Sequence, residues 1–195
     1  MSNPFLDPRK LRFCHGGEYR KLRAGRKRRP LSSKWPIHVV FKANKIVIPG
    51  GFRTPKRFRC TQRVLQRYAY MFYVKIEQST IQNDHIHLII RSGRRTNLIS
   101  FFKVIAGQIA QEFEKSQLLK MLSESVLAKK LRLWKSRPFT RVVLGEKAYR
   151  TARDYLQLNE LEVTGVIKYR KTRLRGLSEQ QRKNLWTLNK LYLPH

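Results

Sequence analysis

The run Ile81-Gln82-Asn83-Asp84-His85-Ile86-His87-Leu88-Ile89-Ile90-Arg91 decides how this chain is read. It is apolar and β-branched after a polar start, which suits a strand entered from a short turn. Successive strand side chains point to opposite faces, so His85 and His87 share one face while Ile86 and Leu88 take the other. Two neighbouring neutral imidazoles make half of a divalent-metal site. A lone His-x-His pair also arises by composition, and histidines packed and hydrogen-bonded on a sheet are the plain alternative.

A second stretch, Arg150-Thr-Ala-Arg-Asp-Tyr-Leu-Gln-Leu-Asn159, gives the pair a context. Tyr149, Ala152, Leu156 and Asn159 recur at helical spacing, and Gly165 stands where such a helix would stop. On that helix Tyr155 and Asn159 are one turn apart on one face, roughly 6 Å from each other. Alone, they read as a packed aromatic and a capping amide. Set opposite two histidines, the Asn159 carbonyl can serve as a third metal ligand, and the Tyr155 phenol would then lie beside whatever the metal holds.

His-hydrophobic-His on a strand, followed by Tyr-x-x-x-Asn on a late helix, resembles the HUH single-strand DNA nucleases of the single-tyrosine transposase branch. Within that branch the chain resembles the REP-associated tyrosine transposases. The likeness extends to Pro30-Leu-Ser-Ser-Lys-Trp-Pro-Ile-His-Val-Val-Phe-Lys42, similar to their first strand and its basic lead-in. Leu133-Trp-Lys-Ser-Arg-Pro-Phe-Thr-Arg-Val-Val143 resembles the stretch before the tyrosine helix. Together these matches run from about residue 21 to 168, and they are specific in combination rather than singly. Glu160-Leu-Glu162 departs from the pattern, since many relatives carry a proline soon after the asparagine. The departure bears on the helix end, not on the chemistry.

Composition agrees. The 195 residues, 41% hydrophobic, suffice for one core with appended arms. Forty-three Lys and Arg against 12 Asp and Glu give a formal charge of +31, which points to a polyanionic partner, nucleic acid first. A ribosome-like structural role and an anionic membrane surface are the rivals. No apolar run approaches the ~18 residues of a membrane span, and the N-terminus lacks the charged and apolar regions of a signal peptide. With the resemblance, a cytoplasmic, nucleoid-associated location in a bacterium is expected. Cys14 and Cys60 lack metal or disulfide spacing and read as free thiols.

Along the chain, residues 1–30 read as a basic, flexible arm, 31–168 as an HUH single-tyrosine transposase domain, and 169–195 as a basic tail. The tail has a possible helix opened by Ser178-Glu-Gln, serving either as a second DNA contact or as a docking helix. Strands are expected at Ile37–Phe41, Ile46–Ile48, Phe72–Ile81, then after a Gln82-Asn83-Asp84 hairpin link the histidine strand to about Ile90, and Phe139–Leu144. Helices are expected at Thr54–Tyr70, from a Thr96 cap through Phe113, more weakly over 117–132, and at Glu146–Glu162. His38 reads as a packed strand residue. Pattern alone gives an α+β chain with an antiparallel sheet and helices packed against it. The resemblance implies the ferredoxin-like (RRM-like) HUH fold, with the tyrosine helix crossing the histidine face.

The resemblance also implies a metal-dependent single-strand DNA endonuclease and strand transferase acting through a 5′-phosphotyrosine intermediate. Tyr155, His85 and His87 would be catalytic, with Mg²⁺ or Mn²⁺ held by His85, His87 and Asn159. The partner would be single-stranded or hairpin DNA, such as REP-like palindromes, contacted by Arg23, Arg26, Lys27, Arg28, Arg29, Lys42, Arg137 and Arg141. Monomer and homodimer both stay open. The alternatives are an inactive nucleic-acid-binding protein of the same fold and a metal-dependent RNase using water, in which Tyr155 would be dispensable.

Overall fold

The computed structural model describes residues 12–17, 28–119 and 132–192. Five strands, β1 (Cys14–His15), β2 (Ile37–Lys42), β3 (Lys75–Ile81), β4 (His85–Arg91) and β5 (Phe139–Val142), form one sheet in the order β1-β5-β2-β4-β3. Every pairing is antiparallel. Among the described residues four helices accompany it: α1 (Pro55–Met71), α2 (Arg95–Lys115), α3 (Glu146–Val163) and α4 (Glu179–Tyr192). From β2 onward the order strand-helix-strand-strand-helix-strand, with the first and third strands central, is the ferredoxin-like arrangement. The α+β, RRM-like fold expected from the sequence is the fold observed.

Period-two alternation separates the two faces of the sheet. Ile37, Val39 and Phe41 of β2 and Ile86, Leu88 and Ile90 of β4 are fully buried and face one large core. That core is closed by Val64, Leu65 and Ala69 of α1 and by Leu98, Phe101, Ile105, Ile109 and Phe113 of α2. Each fully buried Ile, Leu, Val or Phe here contributes about 1.5–3 kcal/mol, so a one-residue slip of β4, which would expose Ile86, Leu88 and Ile90, is strongly disfavoured. The same constraint turns His38, His85 and His87 to the opposite face, over which α3 passes.

The hairpin carrying the histidines is held at its turn. Ile81 pairs with Ile86, and the Gln82 amide closes on the His85 carbonyl at 2.9 Å. Gly51 backs this turn at φ +74, where a Cβ would lie 2.4 Å from the Asn83 carbonyl, while the Phe52 amide donates to that carbonyl at 2.8 Å. Only glycine permits both the backbone angle and the approach.

Three expected details differ. Ile46–Ile48 is a turn rather than a strand: the Ile46 amide bonds the Asn44 side chain and the Val47 amide the Asn44 carbonyl. Val47 and Ile48 are still buried, so their apolar character serves the core without ladder pairing, both neighbours of β2 being already filled by β4 and β5. Thr96 lies inside the first turn of α2, whose cap position is the extended Arg94 with no side-chain cap. That start is the one that aims Leu98, Phe101 and Ile105 at the sheet. Within the stretch read as an arm, Cys14 and His15 form the edge strand β1, paired with Arg141 and Thr140. Residues 120–131, where weak helical spacing continues, lie outside the described residues.

The tail docks on the protein. Ser178 and Gln181 form a reciprocal cap, with the Gln181 amide on Ser178 Oγ at 3.2 Å and the Ser178 amide on Gln181 Oε1 at 2.9 Å. Leu174 and Leu185 then join Leu158 and Leu161 of α3 in a second small core, and Trp186 Nε1 donates to Asp154 at 3.0 Å. Among the described residues no helix is long and apolar enough to cross a membrane.

Candidate active site

His85 and His87 meet with ring centroids 4.7 Å apart, nearly perpendicular. His85 is set by its neighbour in sequence: Nδ1 lies 2.7 Å from Asp84 Oδ1, so Nε2 is the nitrogen left for other work. Burial works against the Asp84 carboxylate, but His85 and Lys45 outweigh it and draw its pKa below the ordinary range. His87 is buried. Its pKa falls well below the usual imidazole value, first through burial and then through His38, His85 and Arg173. A neutral ring is the form that offers a lone pair. Its Nε2 is buried with no hydrogen-bond partner.

Helix α3 delivers Tyr155 to this pair. The Tyr155 ring meets His87 edge-on, centroids 5.6 Å apart, and His38 at 6.4 Å. The helix is fixed over the sheet by polar ties that the pattern reading did not foresee: Thr80 Oγ1 donates to the Leu156 carbonyl at 3.0 Å, Gln82 Nε2 to the Asn159 carbonyl at 3.3 Å, and Arg53 bridges to Glu160 at 3.1 Å. It ends at Val163, with Gly165 at φ +79, so Glu160-Leu-Glu162 does not shorten it.

Asn159 is almost wholly buried, one turn beyond Tyr155 on the same helix. Its Oδ1 accepts from the Arg173 guanidinium, while its Nδ2 is buried without a partner. Arg173 is itself pinned by Glu162 at 2.6 Å and lies 5.2 Å over the Tyr155 ring. Nothing in the local sequence announces this residue, since it sits among many cations in the tail. Among the described residues no three His, Cys, Asp or Glu are so placed that they could together hold a metal ion, so a metal here would have to draw on two imidazole nitrogens and the Asn159 amide oxygen. Of these atoms, His87 Nε2 is buried and has no hydrogen-bond partner, whereas the Asn159 oxygen is held by Arg173.

The expected DNA contacts divide. Arg28 and Arg137 are exposed, and Lys42 is exposed at the end of β2, opposite His85. Arg141 lies on β5 opposite His38. Arg29, by contrast, directs its guanidinium to the Pro138 carbonyl and Thr140 Oγ1, each at 3.2 Å, and over the Phe102 ring. Burial, and then Arg137, lower its pKa. It acts as a clamp on β5, which a sequence reading of the run Arg26-Lys-Arg-Arg29 could not separate from its neighbours. Arg23, Arg26 and Lys27 lie outside the described residues.

The sequence profile of the IS200-like transposases matches residues 37–159, which takes in both histidines, Tyr155 and Asn159. The chain belongs to the IS200-like transposase family. Among solved structures it is similar to a REP-associated tyrosine transposase bound to a REP hairpin, at 14% identity over 74% of this chain and 77% of that one, with a TM-score of 0.54. A transposase from Deinococcus radiodurans aligns at 13% identity over 70% of this chain and 98% of that one, with a TM-score of 0.41. None of the curated protein sequences compared with the chain matches it. For this IS200-like chain the first structural likeness carries the fold, and the family match carries the expectation of DNA transposition chemistry.

Proposed function

We propose that the protein is a metal-dependent single-strand DNA endonuclease and strand transferase whose nucleophile is Tyr155. The observation that carries this is the edge-on approach of Tyr155 to His87 at 5.6 Å, on the face that also presents His85. Tyr155 Oη would bond to a backbone phosphorus while the bond from that phosphorus to the 3′-oxygen breaks. The phenol proton is lost and the departing 3′-oxygen gains one. The product is a 5′-phosphotyrosine link and a free 3′-hydroxyl. Because the phosphodiester energy is kept in the new bond, another 3′-hydroxyl can reverse the step without ATP. Cleavage and joining then come from one site.

His85, His87 and Asn159 would hold Mg²⁺ or Mn²⁺, the latter suited to imidazole. When bound, the metal supplies charge to the phosphate oxygens and orients the phosphate. Neutral ligands leave that charge undiminished. His85 is oriented for the task by Asp84, and α3 holds Tyr155 and Asn159 together.

The REP hairpin bound by the similar transposase, and the charge of +31 on this chain, support single-stranded or hairpin DNA of the REP-like palindrome class as substrate. Arg28, Lys42, Arg137 and Arg141, with Arg23, Arg26 and Lys27 of the arm, would meet its phosphates. The basic arm would lie within residues 1–30, which also supply β1 to the sheet, and 31–168 would be the transposase domain, on which the tail 169–195 packs through α4. The test is incubation with single-stranded hairpin DNA and Mn²⁺, followed on a denaturing gel. A covalent protein–DNA adduct is expected. Cleavage without an adduct would move the reaction to a water nucleophile, and binding without cleavage would leave a nucleic-acid-binding protein.

A further inference from the structure

The polar face of the sheet holds a third histidine to which the proposed chemistry gives no part. His38 lies on β2 beside the histidine strand, its register partner Ile89 standing two residues beyond His87. Its ring stacks on His87, centroids 5.3 Å apart and planes 16° from parallel. Its Nε2 lies 3.1 Å from His87 Nδ1. One proton joins the two neutral rings, and it can be supplied by either.

The surroundings separate the two cases. If His38 supplied the proton, His87 would carry its own on Nε2, as a buried N–H with no acceptor. Orphaned buried donors are rare and costly. If His87 supplies it, Nε2 is a bare lone pair, and its lack of any hydrogen-bond partner is what a metal ligand requires before the metal arrives. We propose that His38 is the positioning residue that fixes the His87 tautomer: His38 Nε2 accepts the His87 Nδ1 proton and thereby presents His87 Nε2 as a ligand.

His85 receives the same service from Asp84 at 2.7 Å, so the two ligands have different supports. A partner behind a ligating imidazole fixes tautomer and ring orientation. Asp84 can supply a charge because its carboxylate is partly exposed and faces Lys45. His87 is buried, where a second carboxylate would need its own cation and would oppose an incoming phosphate. A neutral imidazole fixes the tautomer without adding charge. Asp84 is visible beside His85 in sequence. His38 is 49 residues from His87, and only the pairing of β2 with β4 brings them together.

The role of His38 rests on the metal reading of the site, and one experiment separates the two. Mn²⁺ is titrated into the full-length protein and free ion is read by electron paramagnetic resonance. His38→Gln keeps an acceptor oxygen of similar reach, and His38→Met fills similar space without one. His38→Met should weaken Mn²⁺ binding by about 10- to 100-fold, with His38→Gln much nearer the wild type. Equal loss in both variants would assign His38 to packing, and no loss in either would remove it from the site; both outcomes overturn the proposal. His85→Ala is the control: if it binds Mn²⁺ as the wild type does, the metal reading itself fails. ¹⁵N spectra of the metal-free wild type serve should the Met variant not fold. They should show the His87 proton on Nδ1, and a proton on Nε2 would overturn the proposal.

Discussion

Tyr155 stands edge-on to His87, centroids 5.6 Å apart and planes 86° from parallel, although 68 positions separate the two along the chain. The contact joins a helix to a central strand, and it places a hydroxyl-bearing ring against the buried imidazole whose outer nitrogen has no partner. Tyr155→Phe keeps that ring and removes only the oxygen. Folding and DNA affinity should persist, while the covalent adduct disappears and cleavage falls by about three orders of magnitude or more. Cleavage by the Phe variant at the wild-type rate would mean that another nucleophile attacks.

The ligand set should respond unequally. His85→Ala and His87→Ala are each expected to abolish adduct formation, as EDTA should in the wild type. Asn159→Ala should cost less, because water can replace an amide oxygen and because Arg173 holds that oxygen in this structure. For the same reason Arg173→Gln should tighten Mn²⁺ binding, seen in the same titration. Unchanged activity in EDTA is the result that the metal reading could not survive.

Stability of the metal-free protein should depend on pH through His38. Burial, with Arg141 adding to it, lowers its pKa from 6.5 to about 4. Between those values the unfolded chain binds a proton that the folded one refuses, so stability rises with pH across this window and is complete above pH 6.5. Acidification from about pH 7 to about pH 4 should therefore remove up to about 3 kcal/mol through this residue. Denaturant melts in EDTA should show the loss, reduced in His38→Gln. Parallel pH profiles for the two proteins would show that His38 does not carry it.

Binding should be steeply salt-dependent, since each phosphate contact adds about 0.9 to the negative log-log slope on a duplex stem and about 0.7 on a single strand. Arg23, Arg26, Lys27 and Arg28 changed together to Gln should flatten the slope by up to about 3.6 if all four meet phosphates. Arg29 is left out because its guanidinium supports β5. A larger affinity loss for a hairpin than for a scrambled strand of equal length would assign these residues to target recognition. An equal loss would leave them as an electrostatic anchor.

The alternation of β4 is written in its own residues, and with it the shared face of His85 and His87, because the strand period is two and Ile86, Leu88 and Ile90 must reach the core. The helix carrying Tyr155 and Asn159 is legible in the same way from its apolar spacing, as is the cap of α4 from Ser178. These are local properties, set within a few residues. What spacing could not supply is which elements become neighbours. His38 supports His87 only because β2 pairs with β4 in one register. Arg173 reaches Asn159 only because α4 and Leu174 dock the tail on α3. Arg29 separates from the arm because Pro138, Thr140 and Phe102 surround it. Ile46–Ile48 has the residues of a strand and forms none, since the positions beside β2 belong to β4 and β5. Local periodicity sets which face a side chain takes, but its partner is chosen by long-range packing, whose free energy depends on the whole core at once.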